Sequence, residues 1–371
     1  MLLSVLHTIT AGKATSLLCK NILAQTKNFV NSLVLSIYKK IRYTLGMKNC
    51  WQDLQKPILM LAPMAGYTDS AFRIVCKQQG ADLLMTELIS ADAIAHWVTK
   101  SRDVKNTPTY KLMEFQKAEM PIIVQLFGKH PEKFAIAVKW IEENLKPAGI
   151  DINMGCPAKK VVKSDHGATL LRDQERGVTV VKAVRAATKL PLSVKTRLGW
   201  ESDDEILEFA PKLISAGVDA LIIHGRTYKD GFSNVARWDN IYKIKSKLKS
   251  QNSKVAIIGN GDIKNQTDIK ERLRNLDGVA IGRGAVGNPF IFNRSYEELS
   301  DNEKLKIKKK TIIEHAKLSF ELKGEKGIIE LRKHLLAFFK GHSRAKDLRK
   351  TFVAVKNISE VESALSAIDI A

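Results

Sequence analysis

Short apolar runs rich in β-branched residues recur eight times along the middle of the chain, at intervals of about 30 residues, the length of one βα unit. Most are followed by a polar or glycine-bearing turn and then by a helical pattern, as at 131–145, 203–215 and 265–273. The runs are Pro57–Ala62, Leu83–Met85, Ile122–Leu126, Ile150–Ile152, Leu192–Val194, Ala220–Ile223, Val255–Ile258 and Val279–Ile281. Their number and spacing predict an α/β fold, a (β/α)8 TIM barrel, and favour it over an open doubly wound sheet.

The segments on either side of this repeat are basic. Residues 1–50 contain seven Lys or Arg and no acid, and residues 301–356 contain sixteen bases and seven acids, in a chain of net charge +21. Beyond residue 300 the apolar residues fall at helical spacing, without strand patterns, at Ile312, His315, Ala316 and Phe320 and again at Leu331, Leu335, Phe338 and Phe339. We therefore expect an N-terminal extension over 1–46, a catalytic barrel over 47–295 and a small all-α domain over 296–371.

The extension is apolar, rich in lysine, and has apolar residues at helical spacing from Phe29 to Leu45, so it predicts an amphipathic helix. A mitochondrial targeting segment and a membrane-interface helix are two interpretations, and the single arginine, Arg42, weakens the first. We favour a third, an upstream extension with Met47 as the true start, in a cytoplasmic protein.

Composition excludes several classes of protein. An apolar content of 44% excludes global disorder. The four cysteines, Cys19, Cys50, Cys76 and Cys156, are widely spaced without a CxxC pair, which argues against a disulfide framework and a thiolate metal site, and we expect no metal. No uninterrupted apolar run reaches about 18 residues, so we expect no stable membrane association. The net charge favours an anionic partner, nucleic acid before membrane.

Polar or glycine motifs follow nearly all of the predicted strands. In a TIM barrel the strands deliver their C-terminal ends to one active-site face. The motifs are Pro63-Met64-Ala65-Gly66, Glu87, Gln125, Asn153 with Cys156, Lys195 with Arg197, His224, Asn260-Gly261 and Gly282-Arg283. Such a distribution predicts one pocket that binds a large polar ligand.

The last two motifs, Asn260-Gly261-Asp262 and Gly282-Arg283-Gly284, occupy the usual position of a barrel phosphate site. Lys195 could form a Schiff base, act as a fixed cation over an electron-rich heterocycle, or lie on the surface. A reduced flavin needs positive charge near its N1–O2 edge, and the amide of Gln125 could serve the pyrimidine-like edge of that ring. Phosphate site, cation and amide together favour FMN over an aldolase.

Cys156 lies in a Gly-Cys-Pro turn above the predicted pocket, whereas the other three cysteines are interpreted as small buried apolar residues. A Cys–His pair with His166 lacks a third member. A thiol that is protonated at pH 7 can instead act as a general acid, although the nearby Lys159 and Lys160 favour the thiolate. The residues alone leave this choice open.

At these positions the chain resembles the tRNA-dihydrouridine synthases, in order and spacing over roughly residues 50–350. The motifs that carry the resemblance are 62–69 (APMAGYTD), 151–157 (DINMGCP), 194–199 (VKTRLG), 224–227 (HGRT), 260–263 (NGDI) and 281–284 (IGRG). The runs 156–161 (CPAKKV) and 332–335 (RKHL) resemble the bacterial B-type branch most.

The resemblance implies an FMN enzyme, reduced by NADPH or NADH, that adds two hydrogens across the C5–C6 bond of a D-loop uridine in tRNA. Hydride would pass from the flavin to C6, and Cys156 would protonate C5. By the same resemblance, Asn153, Lys159 and Arg197 would contact the substrate, and the helical domain would bind tRNA. The resemblance also implies the residues that contact FMN. The backbone of Pro63, Met64 and Ala65 would line the cofactor, and Gln125 and Lys195 would contact its ring. The ribityl-phosphate end would be held by His224, Asn260, Gly261, Asp262, Gly282 and Arg283.

Two alternatives stay open: a flavin barrel acting on a free pyrimidine, of the dihydroorotate dehydrogenase type, and a tRNA-binding factor without turnover. The first needs no basic helical appendage, and the intact Cys156 and Lys195 argue against the second. The loop histidine His166 departs from the family pattern and is interpreted as solvated. We expect a monomer.

Overall fold

The computed structural model describes residues 47–251, 253–341 and 344–366. The predicted amphipathic helix within 1–46 and Cys19 lie outside the described residues. The compact fold presented below begins at Asn49.

The described residues form nine strand segments that pair in parallel throughout. They are β1 Ile58–Leu61, β2 Leu84–Met85, β3 Ile89–Ser90, β4 Ile122–Phe127, β5 Gly149–Met154, β6 Leu192–Arg197, β7 Ala220–His224, β8 Ala256–Asn260 and β9 Gly278–Ile281. All eight predicted strands are confirmed. β2 and β3 both pair with β4, so they are two pieces of a single barrel position.

The strand order shows how the sheet closes. Neighbours run β1-β9-β8-β7-β6-β5-β4-β2, and a parallel bridge between Met60 and Leu83 joins the first position to the second. Each barrel position pairs with the next, with β2 and β3 together filling the second position, and β1 pairs with β9 to close the barrel. The predicted TIM barrel is confirmed.

Several strands extend further than the apolar runs predicted. β5 continues to Met154, β6 to Arg197 and β7 to His224. Side chains alternate between the two faces of a strand, and in a (β/α)8 barrel the C-terminal ends of the strands form the active-site face. Polar residues therefore belong to the strands there, which the apolar pattern alone could not show.

The first short helix of the barrel segment precedes β1, and the others lie between the strands along the chain. The helices are α1 Cys50–Asp53, α2 Ser70–Gln78, α3 Ala91–Thr99, α4 Pro108–Met113, α5 Pro131–Asn144, α6 Lys159–Val162, α7 Thr169–Arg172, α8 Gln174–Ala187, α9 Glu205–Ser215, α10 Asp239–Ser250 and α11 Gln266–Leu273. Short 3₁₀ turns occupy Val104–Asn106, Lys117–Glu119, Arg283–Ala285, Pro289–Phe292 and Tyr296–Glu298. The three predicted barrel helices are confirmed to within two residues.

Within the residues that the structure describes, four helices follow the barrel: α12 Asp301–Lys323, α13 Glu325–Phe338, α14 Ala345–Ala354 and α15 Ile358–Ser366. A capping box between Ser300 and Glu303 starts α12, because each side chain accepts from the other residue's backbone N–H. These helices surround a second apolar cluster that includes Ile312, Leu331 and Leu335. Phe320, expected in this core, is instead 44% exposed.

The helical segment packs directly on the barrel. α12 lies against α2, where the amide nitrogen of Gln79 donates to Thr311 Oγ1 at 3.3 Å and Lys323 pairs with Asp69 at 2.7 Å. Among residues 47–251, 253–341 and 344–366, no helix combines the length and the apolar character needed to cross a bilayer.

Candidate active site

Every predicted site residue lies within the last three residues of a barrel strand or in the segment that follows it. Parallel strands bring their carboxyl ends to one face, so residues far apart in sequence meet there. Several of them make direct contacts, described below. Lys159 is exposed at the first position of α6, and Pro63, Met64 and Ala65 follow β1 directly.

Lys195 and Asn260 come from β6 and β8. The Lys195 amine donates to Asn260 Oδ1 at 3.1 Å, and the Asn260 amide donates to the carbonyl oxygen of Ala280 at 2.6 Å. Burial, assisted by the nearby Arg197 guanidinium, lowers the pKa of Lys195 to about 8. At neutral pH the amine therefore still carries its proton, and an anion beside it would raise its pKa.

Gln125 lies in a fully buried polar network. Its amide nitrogen donates to Asp151 Oδ2 at 2.8 Å, and Asn153 Nδ2 donates to its carbonyl oxygen at 3.0 Å. Ser193 Oγ donates to the other Asp151 oxygen at 2.6 Å. Burial raises the pKa of Asp151 to about 7. Neither Asp151 nor Ser193 was predicted as a site residue, although Asp151 between two isoleucines was a visible signal of an inward-facing polar position.

Cys156 lies in the turn after β5, half-buried. Asn153 Oδ1 accepts hydrogen bonds from the backbone N–H groups of Gly155 and Cys156, at 3.1 and 2.9 Å. Gly167, at φ +62°, packs so closely that an added Cβ would lie 3.2 Å from the Cys156 Cβ. The backbone of the turn is thus held from both sides. Cys50 and Cys76 are buried, as predicted.

Arg197 and Arg283 flank an aromatic ring that the sequence did not suggest. Their guanidinium carbons lie 5.4 and 5.1 Å from the centre of the Phe232 ring, in the segment after β7. Phe232 is 57% exposed. The ring and the two guanidinium groups are in cation–π contact, so this loop adds an aromatic and cationic surface beside the strand ends. Nothing in the local sequence distinguished this phenylalanine from an ordinary loop residue.

The two glycine motifs adjoin the ends of β8 and β9. At Gly261, where φ is +125°, a side chain would come within 2.7 Å of the Ala236 Cβ, so only glycine fits. Asp262 accepts two hydrogen bonds of 2.8 Å from Arg226 and one of 2.7 Å from the Ala236 backbone N–H. Arg283 is exposed and 3.5 Å from Asp262.

Burial, reinforced by nearby cations, holds the pKa of His224 well below its usual value.

His166 is not the solvated loop residue that we expected. Its side chain is 16% exposed, with Nε2 3.6 Å from Asp92 Oδ2 and the ring edge-on to Phe127 at 5.7 Å. Burial lowers the pKa of His166. The prediction was wrong because sequence gives no sign that the loop folds back onto the start of α3.

The chain was compared with known proteins. A family model for dihydrouridine synthases matches residues 60–371. A probable tRNA-dihydrouridine synthase of Aquifex aeolicus is 36% identical over 315 residues, covering 83% of this chain and 95% of the relative. The tRNA-dihydrouridine synthase B of Proteus vulgaris is 34% identical over 331 residues, covering 86% and 95%. That of Xanthomonas axonopodis is 32% identical over 321 residues, covering 84% and 91%.

Proposed function

The chain belongs to the dihydrouridine synthase family, whose members are flavin-dependent oxidoreductases, and from this we propose that it reduces a D-loop uridine of tRNA to 5,6-dihydrouridine. The proposed cofactor is FMN, and the proposed reductant is NADPH. One observation carries the proposal: the strand ends bring the Cys156 turn, a half-buried amine and an amide to the same face as two glycine turns.

The residues at this face fit FMN. Gln125 and Lys195 would contact the ring, with an amide for its polar edge and a cation for its negative charge. Asn260, Gly261, Gly282 and Arg283, with His224, would hold the ribityl-phosphate end, where bare backbone permits close approach. The backbone of Pro63, Met64 and Ala65 would line the cofactor. Asp262 would act through Arg226, because its carboxylate is already paired there.

The chemistry divides between the cofactor and the protein. A bound flavin, once reduced by NADPH, supplies the hydride for C6 of the uracil ring. Cys156 supplies the proton for C5 from its thiol, and its backbone N–H is bound by Asn153 Oδ1. Asn153, Lys159 and Arg197 would bind the uridine, which must leave the base stack to reach the pocket.

The helices after the barrel supply a surface for the rest of the tRNA. Residues 301–356 carry sixteen bases against seven acids, and phosphate contacts dominate the affinity of proteins for nucleic acids. We assign residues 47–295 to catalysis and 296–371 to tRNA binding.

Mass analysis of unmodified tRNA after incubation with the protein, FMN and NADPH tests the proposal. The expected result is a gain of two hydrogens on one D-loop uridine, with no gain when NADPH is omitted. Steady NADPH oxidation stimulated by a free pyrimidine, with tRNA unchanged, would overturn the tRNA assignment in favour of a dihydroorotate-type enzyme. Tight tRNA binding without flavin binding or turnover would instead indicate a non-catalytic factor.

A further inference from the structure

One buried acid has no part in the mechanism above. Asp151 lies within β5, fully buried, with its carboxylate inside the barrel. An ionisable group in such a position costs free energy unless its oxygens are paired. Both oxygens are paired, one with Ser193 Oγ and the other with the amide nitrogen of Gln125.

The hydrogen bonds that link Asp151, Gln125, Asn153 and Cys156 are all donated toward Asp151. An ionised carboxylate can only accept, so it determines that the Gln125 NH₂ group faces it. The carbonyl oxygen of Gln125 must then face Asn153, whose NH₂ donates to it at 3.0 Å. That leaves Asn153 Oδ1 to accept from the backbone N–H of Cys156 at 2.9 Å.

The direction of these hydrogen bonds also determines which hydrogen-bonding group of Gln125 is left for a ligand. One hydrogen of its NH₂ group goes to Asp151, and its nitrogen also lies 3.2 Å from Met85 Sδ. Its carbonyl oxygen keeps a second lone pair beside the bond from Asn153. Gln125 is fully buried, so a ligand that reaches its side chain would meet an acceptor, suited to a ring N–H group and not to a ring carbonyl.

We propose that Asp151 is a positioning residue of this site, an inference that rests on the proposed function. Its carboxylate orients the amides of Gln125 and Asn153, so one buried group sets both the ring-facing acceptor and the turn that holds Cys156. It also places a negative charge in the barrel opposite the ammonium group of Lys195.

The charged group that faces Asp151 is Lys195 on β6, while Ser193 and Gln125 face it as neutral donors from β6 and β4. Burial raises the pKa of Asp151 to about 7, against the effects of those three neighbours. Above that pH the negative carboxylate disfavours the extra negative charge of a reduced flavin. Below that pH the carboxyl group is neutral, and this repulsion disappears.

The test compares the reduction midpoint potential of bound FMN in the wild type and in Asp151→Asn across the pH range around 7. The asparagine keeps an acceptor for Gln125 and can donate to Ser193 Oγ, so only the charge is lost. We expect a more positive potential in the variant at alkaline pH, converging with the wild type at acidic pH. A difference that does not change with pH, or no difference, would overturn the assignment.

Two further variants separate orientation from charge. Asp151→Leu removes the acceptor, and we expect FMN affinity to fall about tenfold or more, as for a lost bond to a charged group, while Asp151→Asn stays near wild type. Ser193→Ala removes one bond to the carboxylate and should move the pH midpoint upward. Equal FMN affinity in the Leu and Asn variants would contradict the orienting role.

The parallel assay of the wild type keeps the two proposals apart. If the wild type binds FMN and reduces tRNA but shows no Asp151-dependent effect, this inference fails and the proposed function stands. If the wild type binds no FMN, the proposed function fails and the inference falls with it.

Discussion

Arg197 Nε donates a hydrogen bond of 2.8 Å to the carbonyl oxygen of Gly155, the residue before Cys156. The same guanidinium donates through Nη1 to the carbonyl oxygens of Thr227 and Gly231, both at 2.9 Å. One buried cation at the end of β6 therefore joins the Cys156 turn to the segment after β7. A guanidinium can make these bonds together because its donors point in fixed, divergent directions.

Arg197→Lys should lower kcat for tRNA reduction by about tenfold or more, because a single ammonium cannot replace this set of bonds. FMN binding should stay unchanged. Steady-state kinetics and flavin titration measure the two quantities. Arg176→Lys is the control, because the Arg176 side chain is exposed and pairs with Asp173 at 2.9 Å on the surface. Equal kcat in the wild type and Arg197→Lys would contradict the assigned role.

The barrel could be predicted because each strand contains an apolar run. These runs arise because the outward face of every strand is buried under helices. Ile150 and Ile152 are examples on β5. The site could be located for a related reason: strand order fixes which residues reach the carboxyl face. The sequence did not predict which side chains pair with one another at this face. The pairing of Asp151 with Gln125 depends on register between β5 and β4, which no local pattern encodes.

The loops were the least predictable part of the site. Phe232 lies between Arg197 and Arg283, and His166 lies against Asp92, because of how two loops fold back over the barrel face. Loop paths depend on contacts distant in sequence, and no apolar period constrains them. The Asp262 carboxylate illustrates the same limit, since its partner Arg226 comes from the preceding βα segment.

Cys156→Ala should keep FMN and the oxidation of NADPH but lose tRNA reduction by about a hundredfold or more, the usual contribution of a general acid. Rapid-mixing experiments separate the two half-reactions. Cys50→Ala is the control, because that thiol is buried in α1, whose N-cap Asn49 bonds to Asp219 at the amino end of β7, away from the carboxyl ends of the strands. Unchanged production of dihydrouridine by Cys156→Ala would remove Cys156 from the mechanism.

Lys195→Met should lower the midpoint potential of bound FMN, the opposite direction to Asp151→Asn, because it removes the cation that stabilises the reduced ring. Since the pKa of Lys195 is lowered to about 8, the amine is charged below that pH and loses its proton above it. The difference between wild type and variant should therefore shrink as pH rises. Spectroelectrochemical titration measures it, and a higher potential in Lys195→Met would contradict the expectation.

His315→Gln should flatten the acid dependence of stability. His315 is buried between the barrel and the helices, with its ring 5.7 Å from Phe72 and 5.0 Å from His334. Burial lowers the pKa of His315 to about 4, against roughly 6.5 in the unfolded chain. The unfolded state thus binds more protons between these values, and stability falls as pH drops from 6.5 to about 4.

The shift corresponds to about 3 kcal/mol at its full extent. Urea unfolding at several pH values measures it, with the exposed His96→Gln as control. His334 is also buried, and its pKa is likewise lowered, so the variant should keep part of the acid sensitivity. An acid dependence identical to that of the wild type would contradict the role given to His315.

Replacing Lys346 and Lys350 by glutamate should weaken tRNA binding, because both are exposed on the basic helix α14. Each lost phosphate contact should also reduce the slope of log affinity against log salt by about 0.7–0.9. The control reverses Lys247 and Lys249, which are exposed at the end of α10 and lie at the face of the barrel opposite the site. Both variants change net charge equally, so a uniform charge effect would weaken both. Filter binding across a salt series distinguishes the two results, and equal losses would contradict a localised tRNA surface on the helices.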